Sequence, residues 1–476
     1  MTSSNQVLAM KGCSGDYMDT AQPQPGSRPN GAAPKVALTR ILAFSAPSLP
    51  LAALGLPLVV QLPHHYASFV GLEIGVVGLL FMAARILDIG VDIGIGLAMD
   101  QTRTRIGRFS PWLIAAIPVI MVGTWFLFMA EPGADAAYLG FWLFVTYVGF
   151  SMGSLSQMSL GATLSDDYHE RSRVFVFWQA CNVVGMLLAL MIPVIVHQQG
   201  GTAAAGVQGM GLFIVLLMPI TALIAARFAK EEPPRTSARR TNLQDMFSLL
   251  KSDACRRLLI CDLLLMFGSG VTGGLFLFYF DAVKGYGNLA PALLLIYFIA
   301  GLIGAPLWTF IARRKGKHIA LIAACLYAAI SQPLIMALPE GNFVVAAAGM
   351  AIAGIVYTSA AYLLRAMMAD IGDEDLLRTG QDRTGLLYAL VTLTGKAGYA
   401  LAVGVTYVGL GLVGFESNLG AENSASALLG LTLLFIGLPS IINLIGAAIL
   451  RAYPIDAQRT AQLQAEIAAK RAAGLV

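Results

Sequence analysis

The chain has 476 residues, 57% of them hydrophobic and only 12% charged, with a net charge of +4 and a mean hydropathy of +0.72. A soluble domain carries about 25% charged residues, so the composition excludes an ordinary water-soluble enzyme or binding module. The basic residues are spread along short loops, which excludes a nucleic-acid surface, and Cys13, Cys181, Cys255, Cys261 and Cys325 lack the paired spacing of a disulfide framework or metal site.

Residues 1–35 are rich in Ser, Gly, Pro and Gln, lack the apolar core of a cleaved signal, and read as a disordered cytoplasmic tail. Apolar stretches follow near 38–62, 74–99, 111–130, 137–162, 173–197, 208–228, 255–282, 289–312, 318–338, 343–368, 385–412 and 426–450. Each is close to or above the roughly 20 residues that cross a bilayer. They predict an N-terminal six-helix bundle (36–230) and a C-terminal one (255–452), joined by a cytoplasmic linker (231–254) and followed by a cytoplasmic tail helix (453–476). Pro47, Pro50 and Pro57 predict a bent span 1, which suits a helix that lines a cavity.

Charge alternates from loop to loop. Arg103, Arg105 and Arg108 lie between spans 2 and 3, Arg171 and Arg173 between 4 and 5, and Arg313, Arg314, Lys315 and Lys317 between 8 and 9. Arg227, Lys230, Arg235, Arg239 and Arg240 follow span 6, whereas the alternate loops are nearly free of basic residues. The positive-inside rule then puts both termini and the central loop in the cytoplasm. The basic turns after spans 2 and 8 occupy matching places in the two halves, as in six-plus-six transporters with a central site.

Span 2 breaks the apolar pattern. Arg85, Asp88, Asp92 and Gly96 recur at three- and four-residue spacing, so they share one helix face. A charge inside a bilayer costs at least about 2.5–3.5 kcal/mol and commonly faces a water-filled path. Two carboxylates one turn apart repel each other, and a shared proton, a bound cation or a positive side chain relieves the repulsion. That is the chemistry of a coupling-ion site.

The block Arg85-Ile-Leu-Asp88-Ile-Gly-Val-Asp92, continuing through Gly96-Leu-Ala-Met-Asp100-Gln-Thr-Arg103-Thr-Arg105-Ile-Gly107-Arg108-Phe-Ser-Pro111-Trp112, resembles the glycoside–pentoside–hexuronide:cation symporters. These are the melibiose-permease-like branch of the major facilitator superfamily. Met367-Met-Ala-Asp370-Ile-Gly-Asp373-Glu-Asp375, Thr379-Gly380-Gln-Asp-Arg383-Thr-Gly385-Leu-Leu-Tyr388 and Lys396 agree, and the likeness runs from about residue 38 to 456.

The resemblance implies an all-α membrane protein with the major facilitator fold, twelve transmembrane helices in two six-helix bundles, and a transporter rather than an enzyme. It makes Asp88 and Asp92 the paired cation carboxylates, Ser151 a span 4 hydroxyl ligand and Lys396 a span 11 lysine beside them, with Arg85 on the same face. Such a lysine can hold the acids when the site is empty and release them to a cation. Two acids with too few bases to satisfy them favour cation coupling over a static ion network. Sodium at Asp88 and Asp92, or a proton, stays open. The family's sodium users tend to carry an amide where Val91 stands, and valine offers a hard cation no oxygen. No cofactor is implied beyond the coupling ion, Na+ or H+.

Sugar recognition in the melibiose-permease branch uses a span 1 aspartate, a span 4 acid with a nearby tryptophan, and a span 5 arginine. This chain has Ala52, Ser154, Met158 and Gln179 there. Gln157, Gln179, Asn182, Tyr357, Tyr362, Tyr388 and Thr392 are the remaining candidates for binding a sugar, with Trp178 stacking on a ring face. The expected function is cation-coupled symport of a sugar, glycoside or related organic solute by alternating access. The same residues suit a more apolar solute, so a carrier of a lipid-like amphiphile and an uncoupled facilitator are the alternatives.

Asp100 with Arg103, Arg105 and Arg108 resembles the superfamily's cytoplasmic gate, and Asp370, Asp373 and Arg383 are candidate partners for it, as are Asp166, Asp167, Glu170 and Arg171. Asp262 and Arg365 lie near cytoplasmic span ends, where snorkelling accounts for a charge as well as function does. Gly90, Gly94 and Gly96 predict close helix approach. The expected partners are a small-molecule substrate, the coupling cation and membrane lipids, with no nucleic acid, for a monomer in a bacterial inner membrane.

Overall fold

The computed structural model describes residues 36–164, 168–229, 248–380 and 383–472. The N-terminal tail, most of the linker, Asp166 and Asp167 lie outside the described residues, as do the side chains of Asp100, Glu170 and Arg171. Among the described residues, twelve helical segments are long and apolar enough to cross a membrane. These are Leu38–Gly55, Ile74–Met99, Ser110–Phe128, Ala136–Gly161, Arg173–Gln198, Ala203–Phe228, Asp253–Val283, Gly287–Lys315, Lys317–Ala337, Phe343–Thr379, Leu386–Leu412 and Ala425–Arg451, here spans 1 to 12. Each falls on a predicted stretch, and a further helix, Ala457–Ala472, follows span 12.

Local sequence explains several helix ends. Asp135, Thr202, Ser252 and Ser424 each precede a span and accept a hydrogen bond from the backbone N–H three residues on. Each cap satisfies a donor that a helix start leaves bare. Spans 8 and 9 are separated by Gly316 alone, at φ +97°, a conformation that favours glycine.

Span 1 bends as its prolines predict. Its helix is interrupted at Ala46–Pro47 and over Leu56–Val60, then resumes through Gln61–Val70. Span 10 breaks too, over Ile355–Thr358, which hydropathy did not reveal. Irregular backbone in a membrane needs polar partners, and span 8 supplies them. Trp308 Nε1 donates to the Ile355 carbonyl at 3.0 Å, and Thr358 Oγ1 donates to the Gly301 carbonyl at 2.8 Å.

The spans form two six-helix bundles, and spans 2 and 11 make the main contact between them. On the face away from the basic loops this seam is tight. Gly78 leaves no room for a Cβ against Tyr407, the His64 ring lies 4.6 Å from that of Phe278, and Ser417 Oγ donates to the Ala67 carbonyl at 2.6 Å. Buried apolar residues divide the same way. One cluster on that side runs through both halves, including Leu51, Phe128, Phe276 and Phe435. Toward the basic loops each half has its own: Ile41, Phe44 and Leu160 in the first, Leu258, Leu321 and Met367 in the second. Buried packing thus closes the halves against each other on one face and is parted into separate clusters on the other. Gly90, Gly94 and Gly96 correct their expectation, because among the described residues no neighbouring atom lies within 4 Å of where a Cβ would sit. Close approach falls to Gly78 instead.

Candidate ion site at the seam

Helical spacing turns Asp88 and Asp92 to the same side of span 2, and span 11 brings Lys396 to meet them near the middle of both helices. Lys396 Nζ donates to Asp88 Oδ2 at 2.9 Å and to Asp92 Oδ2. Ser151 Oγ, from span 4, donates to Asp88 Oδ1 at 2.5 Å. Arg85 Nη1 lies 3.6 Å from Asp88 Oδ2, and its guanidinium sits 5.0 Å over the Tyr147 ring. The Asp88 side chain is wholly buried, whereas Asp92 and Lys396 keep 17% exposure each.

The network holds two acids and two bases, so the expected shortage of bases is overturned. Arg85 and Lys396 together balance the carboxylates. What remains is an orphan acceptor: Asp92 Oδ1 is buried with no hydrogen-bond partner among the described residues, and a buried acceptor left unmatched is costly. Two carboxylates and the Ser151 hydroxyl, with one oxygen already unmatched, suit a small monovalent cation or a proton once Lys396 withdraws. Tyr147 and Tyr399 went unnoticed in the sequence. Both line a narrow pocket with Val59, Phe81, Arg85 and Val403, and each lies one helical turn from a recognised residue, Ser151 or Lys396.

The substrate candidates separate into two groups. Gln179 and Thr392 are exposed and Tyr388 partly so, its hydroxyl donating to the Arg365 carbonyl at 3.2 Å. Trp178 is partly buried, 6.1 Å from the Phe175 ring, and Asn182 Nδ2 donates to the Trp178 carbonyl. Gln157 is corrected: it is 2% exposed, and its amide donates to the Phe44 carbonyl (2.8 Å) and Ser48 Oγ (2.9 Å), binding span 4 to the bent span 1. Tyr357 packs on Tyr297 and Phe298, and Tyr362 donates to the Ala305 carbonyl, so both serve the contact between spans 8 and 10.

The gate candidates also re-pair. Asp370 meets Lys317 at 2.6 Å, and Arg383 meets Asp375, a residue of the family block that was not among the gate candidates, at 2.6 and 2.7 Å. Both pairs lie within the second half. Asp373 is partly buried there. Arg103 and Arg105 are exposed in the turn after span 2, where Arg108 lies 5.1 Å from the Phe109 ring.

Two bundles parted on one face, with a charge network midway along their seam, define a transporter of the major facilitator type, an integral multi-pass membrane protein and not an enzyme. The chain belongs to the MFS/sugar transport protein family, whose model matches residues 43–457. It is 26% identical over 409 residues to the "Inner membrane symporter YicJ" of Escherichia coli (strain K12), covering 82% of this chain and 85% of that protein. It is 22% identical to the "Isoprimeverose transporter" of Lactiplantibacillus pentosus (83% and 84% covered) and 21% identical to the human "Sodium-dependent lysophosphatidylcholine symporter 1" (83% and 79%). Among solved structures, the nucleoside transporter NupG superposes with a TM-score of 0.63 at 13% identity, covering 87% of this chain and 99% of that one.

Proposed function

We propose that the protein is a cation-coupled symporter that carries a sugar, glycoside or related organic solute across a bacterial inner membrane by alternating access. The observation that carries this is the span 11 lysine gripping both span 2 carboxylates across the seam. With the basic loops cytoplasmic, the parted face opens inward, and Lys396 holds the halves in that state. A cation that takes Asp88, Asp92 and Ser151 displaces Lys396 and releases the tie between spans 2 and 11. Substrate binding between the halves then completes the change of state. Coupling of this kind makes each ligand raise the other's affinity by the same factor, typically about 5–150-fold.

A sugar-type solute is supported by the family match and by relatives named for sugars. A lipid-like amphiphile is the second reading. It is favoured by Ala52 and Met158 standing where sugar-binding charges would be, and by a relative named for lysophosphatidylcholine. In proteoliposomes with an imposed sodium or proton gradient, accumulation should be competed by free glycosides on the first reading and by lysolipid on the second. Asp88→Asn or Asp92→Asn should abolish gradient-driven accumulation while the protein stays folded. Wild-type accumulation in both would sink the coupling site.

A further inference from the structure

Asp262, on span 7, is a buried acid that the seam network does not use and that, unlike Asp370 and Asp375, has no ion-pair partner among the described residues. It is 3% exposed, so it points into the second bundle and does not snorkel toward the membrane surface. Thr394 Oγ1, from span 11, lies 2.6 Å from Asp262 Oδ2. No cation lies within ion-pair distance of it among the described residues. Arg365 of span 10 is within electrostatic reach, but its guanidinium donates to the Ala361 carbonyl at 2.7 Å. The other ionisable neighbours are few. Span 7 adds Cys261, span 9 adds Cys325 beside that thiol, and span 11 adds Tyr399, which pairs with Ser269. Lys396 is turned the other way, onto span 2, and span 12 carries no ionisable side chain from Ala425 to Leu450.

Thr394 has one hydroxyl proton and three oxygen neighbours, because the Val391 and Leu390 carbonyls lie 3.1 and 3.2 Å from Oγ1. With Asp262 charged, that proton goes to the carboxylate. With Asp262 protonated, the carboxyl O–H donates to Thr394 Oγ1, and the threonine turns its own proton to a carbonyl. Both states are hydrogen-bonded with no heavy atom moved, so the arrangement has a place for one more proton. An acid inside a span is expensive, and those retained there commonly handle ions or protons. Arg365, within electrostatic reach of it on span 10, is exposed.

We propose that Asp262 is a proton-binding site of the C-terminal bundle, exchanging one proton with water from the parted face independently of the Asp88–Asp92 pair. It goes beyond the coupling mechanism above and holds whichever cation those residues take. The test is infrared difference spectroscopy of the full-length protein in phosphatidylcholine vesicles titrated with pH in H2O and D2O. A titrating carboxylic-acid band is expected in the wild type, lost in Asp262→Asn and retained in Asp88→Asn. Thr394→Val, which removes the carboxyl's acceptor, should shift the band's frequency while leaving it titratable. That variant decides the matter if Asp262→Asn fails to fold. A band that survives Asp262→Asn, disappears with Asp88→Asn or ignores Thr394→Val overturns the proposal. None of these readouts depends on transport, so failure of the symport mechanism is separately visible.

Discussion

Replacing Lys396 with alanine tests the seam most directly. Asp92 would lose the cation within ion-pair distance of it, and Asp88 would keep only Ser151 and Arg85, the latter at 3.6 Å. Removing one partner of a buried ion pair costs about 3–5 kcal/mol, because the other charge is left uncompensated. Asp92 and Lys396 retain 17% exposure, so water screens part of the loss and the lower end, about 3 kcal/mol, is expected. Thermal unfolding can be followed with a thiol-reactive dye, since Cys255, Cys261 and Cys325 are buried until the fold opens. Lys396→Ala should melt well below the wild type without added cation. Lys396→Ala/Asp92→Asn should recover most of the difference, because no orphan charge remains. The single variant should also gain more from a bound ion, since the lysine no longer competes. At 100 times its Kd, a ligand of the folded state adds about 2.7 kcal/mol. If Lys396→Ala melts with the wild type, or the double variant melts no higher than the single one, the seam is not held in this way.

Ser151→Ala removes a 2.5 Å hydrogen bond to a wholly buried carboxylate. Bonds to charged groups contribute about 1.5–3 kcal/mol, so the variant should melt lower than the wild type without added cation; an unchanged melting temperature would mean that the hydroxyl does not hold Asp88 in that state. Gly78→Ala should wedge span 2 from Tyr407 and open the closed face. A cysteine substituted at Phe278, 1% exposed, would then react several-fold faster with an impermeant maleimide; equal rates would mean that the seam tolerates the methyl group.

The sequence carried the spans because a bilayer reads one helix at a time. About 20 apolar residues are a condition each segment meets alone, and Asp88 and Asp92 stand out in span 2 for the same reason. Lys396 came only from family likeness, since no local pattern links residues 304 positions apart. The sequence reading misjudged residues whose polar atoms could serve either a cavity or a neighbouring helix. Gln157 and Tyr362 look like substrate ligands until their partners on spans 1 and 8 are visible. Asp262 stood equally for a snorkelling charge or a functional one until span 11 was seen to cover it.

The sequence by itself therefore determined the twelve spans, the side on which the basic loops gather and the two acids that a membrane does not tolerate unmatched. Tertiary structure alone decided that Lys396 grips both acids while Asp92 Oδ1 stays unmatched, which acid pairs with Arg383, and which face of the seam is closed. Hydropathy and helical period act along one chain segment. Ion pairs, caps on broken helices and the close approach at Gly78 depend on distances between segments, which only the packed bundles set.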